Sequence, residues 1–294
     1  MRRSVIIPPE VENFARSLPS KDAVALIGCR ASGLGSLDCC EYDLAVFSEK
    51  PSNSQVVRLQ EHTVELIYVG GRPASNAESL YGMRIVRDAG RLALASAAKE
   101  ITPEKHARAL AAAARKQIVS SLLYLSRMAD KSEKSEALVP VWAKVAAYHF
   151  MSGAIELAGS RPMPLHELEQ SRQMDASGAV ADGMEAALDC IGTERATRPA
   201  ISRSLEALRE LKSEDYDRDL VMAKIEFLLG RQMLSDCYYY VGKIAAASLV
   251  GRKESYLRRY YKLVQLALDL SSDSQHLEKL RRQLFRSANV ILKG

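Results

Sequence analysis

Glu41 and Asp43, separated by one tyrosine just before the apolar run Leu44-Ala45-Val46-Phe47, are the side chains in this 294-residue sequence best spaced for chemistry. Alternate side chains of a strand point to opposite faces, so both carboxylates project from one side of a sheet. Like charges held that close repel unless a proton or a cation bridges them. An all-oxygen ligand set suits Mg²⁺, which keeps several waters and shares a substrate's phosphate oxygens. Upstream, Gly28, Gly33 and Gly35 allow a turn to offer bare backbone N–H groups to an anion, a cradle for phosphate beside the metal. These glycines do not make a Walker A loop, because no Gly-Lys-Ser/Thr ending follows. Nor do they make a dinucleotide fingerprint, because Gly33-Leu34-Gly35 lacks the third glycine.

The elements that must hold these residues are short. Val24–Ile27, Leu44–Phe47 and Val64–Val69 are apolar runs bounded by turn-forming residues, which predicts three strands; Arg84–Asp88 adds an edge strand and Pro9–Leu18 a helix leading into the first strand. Beyond Ile101 the strand signals stop. Thr102-Pro103-Glu104 pairs an N-cap with proline at the first helical position, opening an alanine-rich helix through Met128. Further helices are predicted at about 138–158, 165–190, 194–212, 216–249, 254–270 and 274–292, with breaks that include 212–215 and Ser271-Ser272. In the last, Leu277, Leu280, Leu284, Ala288 and Ile291 form an apolar stripe that calls for partner helices. The expected fold class is α+β: an α/β domain with a short mixed sheet over residues 1–98, then an all-α bundle over 99–294.

The order Gly28-Cys29-Arg30-Ala31-Ser32-Gly33, then Cys40-Glu41-Tyr42-Asp43 opening a strand, resembles the polymerase β-type nucleotidyltransferase superfamily over about residues 20 to 70. Glu65 stands where that family places a third carboxylate, and Arg84–Gly90 is similar to its strand-turn after the core. The helical remainder resembles in layout the substrate-binding bundles of small nucleotidyltransferases. The resemblance implies that Glu41, Asp43 and Glu65 are catalytic metal ligands for Mg²⁺ or Mn²⁺, Glu65 serving alternatively as general base. It implies that Gly28, Cys29, Arg30, Ser32 and Gly33 bind a nucleoside triphosphate. The implied reaction moves a nucleoside monophosphate to a hydroxyl of RNA, protein or a small molecule bound between the domains, releasing pyrophosphate. Three residues depart from the family pattern: Cys29 and Cys40 replace serines, and Glu41 replaces an aspartate, moving its carboxylate outward by one methylene. The alternative is a catalytically weakened relative that regulates or binds nucleotide or RNA.

The formal charge is +5, yet residues 251–294 carry ten Lys/Arg against four acids, a net +6. Such an end-loaded field attracts polyanions, which makes Arg252, Lys253, Arg258, Arg259 and Lys262 RNA-binding candidates. Tyrosines at 256, 260 and 261 interleave with them, and bases stack on such rings, whereas Tyr238-Tyr239-Tyr240 reads as bundle packing. Arg161 and His166 have a ribonuclease-like spacing, but two prolines between them predict a loop and a packing role. The remaining histidines lie near no second ligand type. Five cysteines without metal or disulfide spacing read as reduced thiols. The sequence contains no apolar run of bilayer length and no signal-peptide core, so a cytoplasmic protein without a membrane partner is expected.

Overall fold

Five strands too short to stand alone join into one mixed sheet, in the order β3-β4-β2-β1-β5. They are β1 (Ala23–Ile27), β2 (Tyr42–Phe47), β3 (Gln55–Leu59), β4 (His62–Val69) and β5 (Arg84–Arg87). β2 and β4 run parallel; the other neighbours are antiparallel. The computed structural model describes residues 6–32, 36–48, 53–70, 76–88, 94–129, 137–211, 216–271 and 273–293. The chain divides into two compact units, Met1–Leu110 and Ala111–Gly294.

In the first unit, β1 is buried along its whole length because both sheet faces are covered at that point. On one face, Val24, Leu26, Leu44, Val46, Val64 and Leu66 pack against Val11 and Ala15 of α1 (Pro9–Ser17). On the other, Ala25, Ile27, Ala45 and Phe47 meet Ala77 and Leu80 of α3 (Ala77–Leu80) and Leu94 of α4 (Leu94–Glu100). A single turn, α2 (Gly28–Ser32), follows β1. The predicted edge strand is present as β5, and its Arg87 fixes the connection between α1 and β1 by donating to the carbonyls of Arg16, Leu18, Pro19 and Asp22. β3 is the strand the sequence pattern misses: Gln55-Val-Val-Arg-Leu59 lies at a sheet edge, is half exposed and has no continuous apolar run. The acidic segment at 41–43 thus enters the middle strand of the five.

α5 (Pro103–Arg127) begins as predicted, with Thr102 Oγ1 accepting from the Lys105 N–H at 3.3 Å. The second unit is helical: α6 (Val139–Leu157), α7 (Glu167–Arg172), α8 (Gly178–Ile191), α9 (Arg198–Glu210), α10 (Arg218–Gly230), α11 (Leu234–Leu249), α12 (Glu254–Arg259), α13 (Tyr261–Ala267) and α14 (Ser274–Lys293). Three predicted helices are each divided in two. The 165–190 pattern breaks at Met174–Ser177; the 216–249 pattern breaks where Gln232 takes φ +59°; the 254–270 pattern breaks at Tyr260. Periodicity persisted across each break because the flanking helices bury the same kind of face. α6 is the hub, buried over most of its length and packed on α8, α11 and α14, with α14 in turn laying Leu277, Leu280, Leu284 and Ala288 against α8.

One buried polar network stands out inside this bundle. Glu167, 1% exposed, accepts from Ser152 Oγ and Tyr239 Oη and forms an ion pair with Lys243 Nζ at 3.1 Å. Trp142 stacks on Tyr124, which also stacks on His149, while Arg127 lies over the Tyr124 and Trp142 rings. Lys144, 3% exposed, donates to the Ile191 carbonyl at 2.8 Å. Burial, with a smaller push from the positive charge of Arg195, brings its pKa from the ordinary 10.5 down to about 7. Between those values the unfolded chain holds the proton that the folded chain has shed, so stability rises with pH. Against a Lys144→Met variant, wild type should gain about 2–3 kcal/mol between pH 6 and pH 9 in chemical denaturation. A constant difference would show that the buried amine keeps its charge.

Candidate functional site

Asp43 and Glu65 sit directly opposite each other in the parallel β2–β4 pair, and Ile27 stands opposite Asp43 on the β1 side. By strand alternation Asp43 shares a face with Ala45 and Phe47, and Glu65 with Ile67 and Val69. The apolar cluster on that face stops where the two acids begin. Glu41 lies one residue before β2, yet one carboxylate oxygen each from Glu41, Asp43 and Glu65 fall within 4.8 Å of one another. The extra methylene of Glu41 therefore does not carry it out of the cluster. Three partly exposed carboxylates at this spacing form an oxygen-only donor set, the chemistry of a hard divalent cation.

The turn after β1 closes over this cluster. Gly28 has φ +74°, and a Cβ built there would lie 2.0 Å from Asp43 Oδ2. Glycine is required twice, once for the left-handed backbone and once for the space the carboxylate occupies. A Gly28→Ala variant should lose about 2 kcal/mol of stability and displace Asp43, with metal affinity falling by at least tenfold in calorimetric titration. Unchanged affinity would mean that Asp43 does not need this clearance.

Cys29, within the turn, and Cys40, just before β2, are both buried, with their sulfurs within 4.8 Å. Their hydrogen bond, then burial, then the negative charges of Asp43 and Glu41 push the Cys29 thiol far above its ordinary range. It is thus a neutral thiol standing beside the acids. No sequence signature announces this pair. Extending the antiparallel β1–β2 register past Ile27↔Asp43 would have brought residues 29–30 near 40–41, which is the signal that was available.

Arg30 bonds to the loop that precedes β2. Its guanidinium donates to the Cys40 carbonyl at 2.8 and 2.6 Å and to the Asp38 carbonyl at 3.2 Å, and lies 4.2 Å from the Tyr42 ring centroid. It fastens the segment that delivers Glu41 into β2, so it positions the acids. Ser32 Oγ donates to the Cys29 carbonyl inside α2. Gly33 lies outside the described residues. Asp38 falls in the turn closed by the Cys40 N–H to the Leu37 carbonyl.

In the helical unit the two tyrosine clusters separate. Tyr238, Tyr239 and Tyr240 are 4%, 1% and 3% exposed, the expected packing role, whereas Tyr256, Tyr260 and Tyr261 are half-buried among the exposed Arg252, Lys253, Arg259 and Lys262. Arg258 is half-buried and paired with Glu254 at 3.3 Å. Arg161 and His166 frame the irregular approach to α7: the Arg161 carbonyl accepts from Gln170 Nε2, and the His166 N–H donates to the Met163 carbonyl. Among the described residues no helix is long and apolar enough to cross a membrane. No protein-family model matches the chain, and no curated protein matches it significantly.

Proposed function

We propose that this chain is a metal-dependent nucleotidyltransferase that moves a nucleoside monophosphate from a nucleoside triphosphate to an acceptor hydroxyl and releases pyrophosphate. The observation that carries the reading is the convergence of Glu41, Asp43 and Glu65 within 4.8 Å beneath a glycine turn. The motif resemblance over about residues 20 to 70 agrees with it. The donor set fits Mg²⁺ or Mn²⁺, because its three donors are all oxygen and neither softer thiol, Cys29 or Cys40, is among them. When bound, such an ion supplies charge neutralisation for the triphosphate and acidifies the attacking hydroxyl.

The protein's own residues then have separable tasks. Glu41 and Asp43 hold the ion, Glu65 holds it or takes the acceptor proton, and the N–H groups of Gly28 and Cys29 grip the β- and γ-phosphates. The acceptor oxygen forms a bond to the α-phosphorus. The bond from that phosphorus to the bridging oxygen breaks, and pyrophosphate leaves with the electron pair. Positioning and charge compensation carry most of such a reaction.

A second reading has its own support: Cys29 stands where the family pattern has a serine hydroxyl, which weakens the grip on phosphate and favours a module that binds nucleotide without transferring it. Incubation with each α-labelled triphosphate, Mg²⁺ or Mn²⁺, and a mixture of RNA, protein and small hydroxyl acceptors distinguishes the two. Label transfer that stops on chelation is the expected result. Tight nucleotide binding without transfer selects the module, and neither binding nor transfer overturns both.

A further inference from the structure

We infer that the segment from Arg252 to Lys262 is a binding surface for single-stranded nucleic acid, whose phosphates meet exposed cations while its bases stack on a row in which two guanidinium planes flank two tyrosine rings. The surface lies in the helical unit and does not depend on the transferase reading.

The row has measured spacing. The Arg252 guanidinium lies 5.5 Å from the Tyr256 ring centroid, the Tyr256 and Tyr260 rings are 4.8 Å apart, and the Arg259 guanidinium lies 5.5 Å from Tyr260. Tyr256 Oη donates to the Leu211 carbonyl at 3.0 Å, so its ring is held in place, and buried Leu257 and Val264 anchor α12 and α13 to the bundle. Lys253, Arg259 and Lys262 are exposed, as is Arg252, whose Nε donates to the Ser248 carbonyl at 3.2 Å, and the nearby acid Glu254 pairs with Arg258. The break at Tyr260 turns the chain between two short helices and places aromatic and cationic side chains side by side.

Each feature matches a different part of the ligand. Flexible cations at the rim suit a string of phosphates, and ring faces suit unpaired bases, at about tenfold in affinity for each stacked base. A duplex keeps its base faces inside its own stack, and an acidic peptide satisfies the cations while leaving the rings unused. The pairing of rings with cations therefore favours a single strand.

The test is fluorescence anisotropy of the full chain with fluorescein-labelled 12-nucleotide oligo(U) and oligo(A), as RNA and as DNA, without triphosphate. Four phosphate contacts predict a slope of about −3 for log affinity against log salt, or about 50-fold weaker binding at 200 mM than at 50 mM. Replacing Arg252, Lys253, Arg259 and Lys262 together by glutamine should flatten that slope. Tyr260→Ala should weaken binding about tenfold with the slope unchanged, and Tyr260→Trp should restore it. If circular dichroism shows the quadruple variant misfolded, Arg252→Lys with Arg259→Lys replaces it and should keep the slope while weakening affinity. Binding of RNA, DNA or both in this pattern supports the surface. No binding at 50 mM salt, equal binding by the glutamine variant, preference for a matched duplex, or full displacement by polyglutamate overturns it. Any of these results leaves the transfer experiment unaffected, because no triphosphate is present.

Discussion

Asp43→Asn should lower label transfer by about 10³-fold or more while leaving the fold intact, a loss of about 4 kcal/mol of transition-state stabilisation. Asparagine matches aspartate in shape, so the clearance at Gly28 and the pairing of residue 43 with Ile27 and Glu65 survive. What disappears is one negative charge from a cluster of three, and with it the ligand closest to the glycine turn. A metal-free thermal melt should show equal or slightly higher stability, because one source of like-charge repulsion has gone. A transfer rate within tenfold of wild type would remove Asp43 from the proposed chemistry. An unfolded variant would instead assign the residue to the sheet.

An effect of similar size, on stability rather than on transfer, is expected in the helical unit. Glu167→Ala strips the carboxylate partner from Lys243 and leaves the Tyr239 hydroxyl without its acceptor, while Ser152 Oγ keeps only the Tyr148 carbonyl as acceptor, all within the bundle. Breaking one side of a buried ion pair costs about 3–5 kcal/mol, which in a unit of this size lowers the melting temperature by about 10 °C. The double variant Glu167→Leu with Lys243→Met should recover half of that loss or more, because neither side then buries an uncompensated charge. Differential scanning calorimetry of the single and double variants separates the two cases. If the double variant is no better than Glu167→Ala, the hydroxyl bonds rather than the charges hold this region.

The strands at the site were legible because Val24–Ile27 and Leu44–Phe47 are continuous apolar runs, as strands covered on both faces must be, and Val64–Val69 is interrupted only by Glu65. The same logic conceals β3, whose edge position lets it be half polar. The spacing of Glu41 and Asp43 foretold a shared face, and Glu65 reaches the same cluster through a parallel register that no local pattern encodes. Arg30 shows the same limit. Its reach to carbonyls eight to ten positions ahead is set by how the loop folds back, which no local pattern encodes. In the bundle, helical periodicity found the buried faces and missed the breaks, since a break such as Gln232 or Tyr260 depends on a backbone angle and leaves the hydrophobic period intact.

Trp142 is the sole tryptophan of the chain, 2% exposed, stacked on Tyr124 and covered by the Arg127 guanidinium in the Ala111–Gly294 unit. Its indole emission therefore reports denaturation of the helices alone and is silent about the sheet. Followed beside far-ultraviolet ellipticity, it gives an optical means of learning whether the halves of this polypeptide melt together or in succession, without labels or truncation.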